Sequence, residues 1–412
     1  MKKILGSIAK IFGIVVLLLG FTVGGYFVFR QKPPKPPETV TDIAEVEAYL
    51  EELVEFGTPP GLSLVVVKDG AIVYSKGFGL ADGLNHLPAT PNTVFRWWSV
   101  TKIFTATAIL QLHEQNLLNI DDPVVDFLPF FDVIYPSDTS EIITIRHLLN
   151  HSSGMPDNFP AVIGWMHTED ELQLNQTILL QEVFPDYNEL IFEPGDQSKY
   201  TNVGYMALGA IIEAVSGQPY EDFVVEHIYQ PLGMNSSNFV YTDEMLPYAA
   251  VGSHPQISME SVMLPFLYDD LDAFIREKSD GKMWFNRFYA DSNPPTGMIA
   301  PATDLARFVV AFLNNGELDG ERILSRESIA MMTYESYIVY VPDNQTDRTV
   351  SGLGWGIYQE GERMYIAHGG GGPGFGSSIR LYPEESMGLI VVANDTTYNP
   401  ELILDLGASL DW

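Results

Sequence analysis

Strand patterns occur at both ends of this chain, and helical patterns fill the part between them. Near the N-terminal end, two β-rich runs flank Asp69-Gly70, a dipeptide typical of a tight hairpin turn. Toward the C-terminal end, four β-rich runs follow at hairpin spacing, at residues 354–358, 364–368, 376–382 and 387–394. We therefore predict an α+β fold with an antiparallel sheet built from both chain ends and flanked by helices. A mostly helical inserted subdomain is expected at about residues 117–300.

The N-terminal end carries a long apolar segment. Residues 11–29 contain no charge and lie between Lys10 and Arg30. At 1.5 Å per residue, such a helix spans roughly 28 Å, which is enough to cross a bilayer. We interpret residues 1–32 as a transmembrane anchor that leaves the bulk of the chain outside the cell membrane. A cleaved signal peptide, and hence secretion, is the alternative, although residues 23–25 make a poor cleavage site.

A proline-rich stretch follows the apolar segment. Residues 33–39 contain four prolines and predict an extended, stiff linker. Residues 40–412 are then expected to form one domain that includes the helical insertion. The chain has no cysteine, which excludes cysteine metal sites and disulfide chemistry.

The charge of the chain is strongly acidic. Six of the 22 basic residues lie in the first 35 positions, which leaves 16 basic residues against 54 acidic ones in the remainder. This balance argues against nucleic acid and against an anionic lipid surface as partners of the domain. Solubility outside the cell explains the excess of acidic residues, and adaptation to salt is an alternative explanation.

One stretch has the properties of a catalytic centre. Ser99 and Lys102 are three residues apart, so on a helix they share one face, and an apolar run follows them. Burial and the helix dipole both favour a neutral amine, which can take a proton from the serine. The alternative is a helix N-cap at Ser99 and a surface position for Lys102. Ser-x-x-Lys also occurs at residues 7–10 and 279–282, beside the apolar segment and in a charged loop.

Two further short motifs follow in order. Tyr200 and Asn202 form a Tyr-x-Asn before an apolar helix, and His368 and Gly370 form a His-x-Gly that enters a glycine-rich run. Taken singly, such a tyrosine is more often a core residue and such an asparagine more often a helix N-cap. The histidine is equally expected as a hydrogen-bonded core residue. We interpret His151, in His-Ser-Ser-Gly, as structural because its neighbours cap a helix.

With these three motifs in order, the chain resembles the penicillin-recognising serine hydrolases. The resemblance is to the branch that holds class C β-lactamases, D-Ala-D-Ala carboxypeptidases and related esterases, and it covers roughly residue 40 to the C-terminus. It agrees with roles that acyl transfer itself requires. These roles are nucleophile for Ser99, general base for Lys102, proton shuttle for Tyr200 and a substrate contact for Asn202.

The resemblance also implies features that the spacing alone does not give. It places the oxyanion hole at the backbone N–H groups of Ser99 and Gly371, with His368 and Gly370 contacting substrate. It implies a β-lactamase/transpeptidase-like fold, a small ester, amide or peptide as substrate, and neither metal nor organic cofactor. Oligomeric state is not readable from the sequence.

The third motif departs from the pattern of β-lactamases, which usually carry lysine and threonine there. His368 replaces the lysine and Gly369 the threonine, and histidine is mostly neutral at pH 7. We therefore expect an esterase or a D-amino-acid peptidase first and a β-lactamase third. A non-catalytic protein that senses wall fragments or an acyl ligand is the rival from another class.

Overall fold

The computed structural model describes residues 32–137, 141–157, 166–168, 175–258, 261–262, 264–265, 270–334 and 349–412. Residues 37–412 form one compact unit, and residues 1–36 are a separate unit. The predicted membrane span at residues 11–29 lies outside the described residues. Among the helices that the structure describes, none combines the length and apolar character needed to cross a membrane.

The described part of the chain contains many helices and many strands. The helices are α1 Ile43–Phe56, α2 Thr101–Glu114, α3 Val124–Phe127, α4 Ile145–Leu149, α5 Gln176–Val183, α6 Asn202–Ser216, α7 Tyr220–Val224, α8 Leu271–Phe274, α9 Asn293–Thr296, α10 Ala302–Leu313, α11 Arg326–Tyr334 and α12 Pro400–Ala408. The strands are β1 Gly61–Lys68, β2 Ala71–Asp82, β3 Leu87–Pro88, β4 Val94–Arg96, β5 Met166–His167, β6 Ser253–Pro255, β7 Ile275–Ser279, β8 Lys282–Phe285, β9 Tyr289–Ala290, β10 Ile299–Pro301, β11 Glu317–Leu318, β12 Glu321–Arg322, β13 Thr349–Ser351, β14 Gly356–Glu360, β15 Arg363–Gly372, β16 Phe375–Tyr382 and β17 Met387–Ala393.

The central sheet joins the two ends of the chain, as the sequence predicts. Its eight strands follow the order β13-β14-β15-β16-β17-β1-β2-β3, and β1 pairs antiparallel with β17. The hairpin between β1 and β2 turns at Asp69 and Gly70, with φ of 50° and 79°. Two successive residues with positive φ match the right-handed twist of the strands, which explains the Asp-Gly dipeptide.

Both faces of this sheet are covered by helices. Alternate residues of β1 point to opposite faces, so that Val65 and Val67 join one buried cluster and Leu64 and Val66 another. The first cluster includes apolar residues of α2 and α10, and the second those of α1 and α12. Because α2 lies inside the first cluster, its residues are buried without a break from Thr101 to Leu112.

The region predicted to be mostly helical also contains strands. A small antiparallel sheet of order β6-β8-β7 lies within residues 253–285, where the sequence shows no strand pattern. Strand β6 ends in Pro255, and β7 is largely exposed and charged, so neither shows an alternation of apolar and polar residues. Residues 138–140, 158–165 and 169–174 of this region lie outside the described residues.

Candidate active site

Ser99 lies in a short turn directly before α2. The sequence places it in the first turn of the helix, but residues Trp98–Val100 form a 3₁₀ turn, and the α-helix begins at Thr101. Trp98 has φ 48°, a left-handed conformation that is uncommon for a bulky residue and often found at functional sites. The Thr101 hydroxyl donates to Trp98 O at 2.6 Å and accepts from Met298 N at 3.0 Å. These bonds tie the serine turn to the segment that leads into β10.

Strand β15 passes close beside this turn. A Cβ atom on Gly370 would lie 2.1 Å from Trp97 O and 3.1 Å from Ser99 N, so only glycine fits this position. The approach explains why the His-x-Gly motif needs its glycine. It also brings the backbone of β15 against the serine.

Beside the cleft, the last residues of β15 have one edge that no described strand covers. Pairing with β14 stops at Gly356 and Ala367, so no described strand pairs with residues 368–372 on that side. Gly371 is part of this stretch and is exposed. Free backbone groups on a strand edge can pair with an extended ligand.

Lys102 is the buried centre of the site. Its Nζ lies 3.3 Å from Ser99 Oγ, 2.7 Å from Asn202 Oδ1 and 3.1 Å from Pro295 O, and the residue is 0% exposed. Burial lowers the pKa of Lys102 well below its ordinary value, and the nearby Asp157 carboxylate raises it by a smaller amount. No ion pair of Lys102 is found among the described residues, which favours the neutral amine.

The geometry around the amine defines the direction of its lone pair. A neutral amine has two hydrogens, and two of its three oxygen neighbours, Asn202 Oδ1 and Pro295 O, can only accept hydrogen bonds. If both hydrogens go to these oxygens, the lone pair faces the third neighbour, Ser99 Oγ. The arrangement is that of a base beside its nucleophile.

Asp157 completes this network, and sequence reasoning missed it. Its Oδ1 accepts from the backbone N of Asn202 at 3.0 Å, and its two oxygens lie 3.3 and 3.2 Å from Asn202 Nδ2. Because a carboxylate only accepts, it attracts the NH₂ of the amide and leaves the amide oxygen toward Lys102. No local pattern marks Asp157; its only signal is that it follows the His-Ser-Ser-Gly-Met-Pro run.

Tyr200 lies over the amine with its ring rather than its hydroxyl. Lys102 Nζ is 4.7 Å from the ring centre, and the side chain is 38% exposed toward the cleft. Burial of the hydroxyl raises the pKa of Tyr200, and a hydrogen bond with Ser99 opposes that shift. The raised pKa favours a neutral phenol in the free protein, which can donate a proton; the proton-shuttle role stays a prediction.

Two histidines flank Tyr200. The ring of His151 is 4.5 Å from the Tyr200 ring, and the ring of His368 is 6.4 Å from it. Burial lowers the pKa of both, and that of His368 falls to about 3, so both are neutral at pH 7. His151 accepts a hydrogen bond from Thr201 N at 3.2 Å, as a structural residue does, but it also lines the cleft, which was not predicted.

The structure thus brings Ser99, Lys102, Tyr200, Asn202 and His368 together. The open cleft above them has a volume of about 400 Å³. Its wall consists of Ser99, His151, Tyr200, Ser351, Gly354, Trp355, Gly356, Tyr358, Ala367, His368 and Gly369. A space of this size is suited to a small ligand.

The other Ser-x-x-Lys sequences have different surroundings. Ser279 and Lys282 lie at the hairpin of β7 and β8, and Lys282 Nζ pairs with Asp395 at 3.0 Å. The nitrogen of Lys282 is thus held by a carboxylate, whereas that of Lys102 contacts its motif serine. Residues 7–10 lie outside the described residues. Within the described ranges, no group of three or more acidic or histidine side chains is placed to hold a metal ion.

This fold, with a buried lysine beside a serine, is that of a serine hydrolase of the Ser-x-x-Lys type. The family model described as Beta-lactamase matches residues 46–410, so the chain belongs to the β-lactamase family.

Relatives in this family are similar at a moderate level. Protein flp of Staphylococcus aureus (strain MW2) is 26% identical over 369 residues, which are 89% of this chain but only 66% of that longer protein. Penicillin-binding protein 4* of Bacillus subtilis (strain 168) is 28% identical over 355 residues, covering 83% of this chain and 70% of the relative. The crystal structure of D-amino acid amidase from Ochrobactrum anthropi SV3 matches with a TM-score of 0.70 at 22% identity, covering 89% and 97% of the two chains. At this identity the amidase shows the shared fold.

Proposed function

We propose that this protein is a membrane-tethered, extracytoplasmic hydrolase that forms an acyl-enzyme on Ser99 from a small ester or amide. The observation that carries the proposal is the contact of 3.3 Å between Lys102 Nζ and Ser99 Oγ, at a lysine with no exposed surface. A buried lysine without an ion pair is costly, and serine activation is a function that requires it.

The proposed reaction assigns each group a role that agrees with its position and with the resemblance. Lys102 takes the proton of Ser99, and Oγ attacks the carbonyl carbon of the substrate. The backbone N–H groups of Ser99 and Gly371 stabilise the oxyanion that forms. The Tyr200 hydroxyl, which forms a hydrogen bond with Ser99, donates its proton to the leaving group, and the proton taken up by Lys102 restores the phenol. The acyl-enzyme forms, and water hydrolyses it in a second round of the same transfers.

The shape and charge of the cleft favour an extended, uncharged reacting group. The unpaired edge at residues 368–372 can pair with a peptide-like or acyl chain. A neutral His368 offers no cation for a substrate carboxylate, unlike the lysine of β-lactamases. An esterase or a D-amino-acid peptidase therefore ranks before a β-lactamase. The amidase that shares the fold was crystallised with D-phenylalanine, which supports the peptidase class.

The membrane tether rests on the sequence. The uncharged residues 11–29 and the proline-rich residues 33–39 are suited to a span followed by a spacer. The test is membrane fractionation of expressing cells together with N-terminal sequencing. Retention of residue 1 in the membrane fraction supports the tether, and a mature N-terminus near residue 26 in the soluble fraction contradicts it.

The test of the nucleophile is the intact mass of the detergent-purified chain after brief exposure to a fluorophosphonate. We expect one adduct on the parent protein and none on Ser99→Ala. Ser279→Ala is the matched control, because it removes the serine of the other described Ser-x-x-Lys and should keep the adduct. A folded parent protein without an adduct would favour the non-catalytic sensing protein.

A further inference from the structure

A second cavity lies apart from the catalytic cleft. It has a volume of about 490 Å³, and no residue in its wall also lines the cleft at Ser99. Three arginines line it, Arg96, Arg276 and Arg287, and the one carboxylate among its described lining residues is Asp82. We call this cavity the arginine pocket. Its charge is unusual in a chain with a net charge of −32.

The carboxylate of Asp82 is occupied by its own turn. Its oxygens accept from Leu84 N at 2.9 Å, from Asn85 N at 3.1 Å and from Asn85 Nδ2 at 2.6 Å. Arg276 reaches it with one nitrogen only, at the longer distance of 3.4 Å. The other N–H groups of the Arg276 guanidinium make no hydrogen bond with any described residue. That carboxylate, with its turn donors and one long contact to Arg276, does not neutralise both Arg276 and Arg287.

Two further donors of the wall are Arg287 and Tyr241. Arg287 is exposed and forms no ion pair with a described residue, and the Tyr241 hydroxyl forms no hydrogen bond within the same ranges. Burial raises the pKa of Tyr241, while Arg96 and Arg287 oppose the shift, so both guanidinium groups act on its hydroxyl. The planar guanidinium group presents its N–H donors in a fixed fork that suits a carboxylate.

The rest of the wall is mainly apolar. Leu87, Leu246, Val251, Phe285, Phe288 and Phe375 contribute to it. Phe288 O accepts from Arg96 Nη1 at 2.9 Å, and the Phe288 ring lies 4.9 Å from the same guanidinium. The wall therefore combines charged donors with apolar surface, as sites for amphipathic ligands do.

We propose that the arginine pocket binds a small organic carboxylate, with the carboxylate on Arg276 and Arg287 and the apolar body against the partly exposed Leu87, Leu246 and Val251. The planar guanidinium fork matches a carboxylate in geometry, and the apolar surface selects an organic anion over an inorganic one. This site is independent of the reaction proposed at Ser99.

The test is calorimetric titration of the full chain in detergent with sodium phenylacetate. We expect binding that weakens with added salt. The double variant Arg276→Gln/Arg287→Gln should lower the affinity at least about tenfold, since it removes both charge-assisted hydrogen bonds. Lys278→Gln is the control for the loss of charge. It removes one positive charge from β7 at an exposed position outside the pocket and should leave the affinity unchanged.

Three outcomes overturn the proposal. Equal binding of the neutral analogue phenylacetamide means that charge is not recognised. Inorganic phosphate that binds as tightly as phenylacetate means that the apolar wall has no role. No binding, or equal affinity in the double variant and the parent, means that the arginines form no anion site. Unfolding midpoints of all variants, measured in parallel, show that each sample is folded.

Discussion

The cleft at Ser99 and the arginine pocket both contain basic side chains, but the surroundings of these side chains differ. In the cleft, Lys102 is fully buried, and its nitrogen has three oxygen neighbours within 3.3 Å. In the arginine pocket, Arg287 is exposed and has no ion pair among the described residues. Lys102 has oxygen neighbours that fit a neutral amine, whereas Arg287 has no carboxylate of its own among the described residues.

The difference follows from the chemistry of the two side chains. A lysine amine can lose its proton when it is desolvated, and it then becomes a base. A guanidinium cannot lose its proton in a protein, so an arginine stays a cation that attracts anions. In the two proposed sites, lysine therefore stands where a proton must move and arginine where a charge is to be kept.

The largest expected effect comes from Lys102→Met, which removes the base and keeps the volume. The value of kcat/KM for p-nitrophenyl acetate should fall about 1,000-fold or more, because general base catalysis is lost. The variant also tests the protonation state. In the fold the pKa of Lys102 lies below that of the unfolded chain, so folding releases a proton in the range between the two values.

Because of this proton release, the free energy of unfolding rises with pH until the pH reaches the pKa of Lys102 in the unfolded chain. The slope is at most about 1.4 kcal/mol per pH unit for one proton. Urea unfolding from pH 7 to pH 10 should show the rise in the parent and in the exposed-site control Lys278→Met, but a flatter profile in Lys102→Met. Equal slopes in parent and variant would mean that Lys102 is protonated, and the contrast with the arginines would disappear.

A smaller effect is expected from Asp157→Asn, which tests how the amine is oriented. The carboxylate fixes the Asn202 amide, whose oxygen accepts from Lys102 at 2.7 Å. With an amide in its place, that orientation is no longer imposed, and kcat/KM should fall about 10- to 100-fold, as expected for a charge-assisted hydrogen bond.

The pH profile separates positioning from general damage. Asp157 raises the pKa of Lys102, so its removal should move the acid limb of kcat/KM to lower pH. Asp196→Asn, at an exposed aspartate, is the matched control and should change neither rate nor profile. A variant that loses activity with an unshifted limb would assign Asp157 a purely structural role.

How far the sequence predicts this structure depends on how local each feature is. The Asp69-Gly70 hairpin and the sheet built from both chain ends follow from the order of short β-rich runs. Strand β7 is exposed and charged, and strand β6 ends in proline, so periodicity gave no signal for the small sheet.

The residues of the candidate site also fall into two groups, those that belong to short sequence motifs and those that only the fold brings together. Ser99, Lys102, Tyr200, Asn202 and His368 belong to short motifs that residue chemistry and the resemblance could identify. Asp157 acts through a contact with Asn202, 45 residues along the chain, and the arginine pocket joins segments 96, 276 and 287. Only the folded chain brings such residues together, so no pattern in the sequence marks them.

The smallest expected effect comes from His368→Lys/Gly369→Thr, which adds to the cleft a cation of the kind that the arginine pocket already has. A Cβ at residue 369 would have its nearest neighbour, Ser377 O, at 3.8 Å, so the threonine fits at that atom.

In the parent protein, the low pKa of His368, about 3, leaves no positive charge to hold a carboxylate. The lysine should supply one, and the hydrolysis of nitrocefin relative to p-nitrophenyl acetate should rise about three- to tenfold, as for one exposed ion pair. The methyl ester of the same cephalosporin lacks the carboxylate and should show no gain. An equal gain on both compounds would mean that shape rather than charge excludes β-lactams, and that a kept cation has no special value in this cleft.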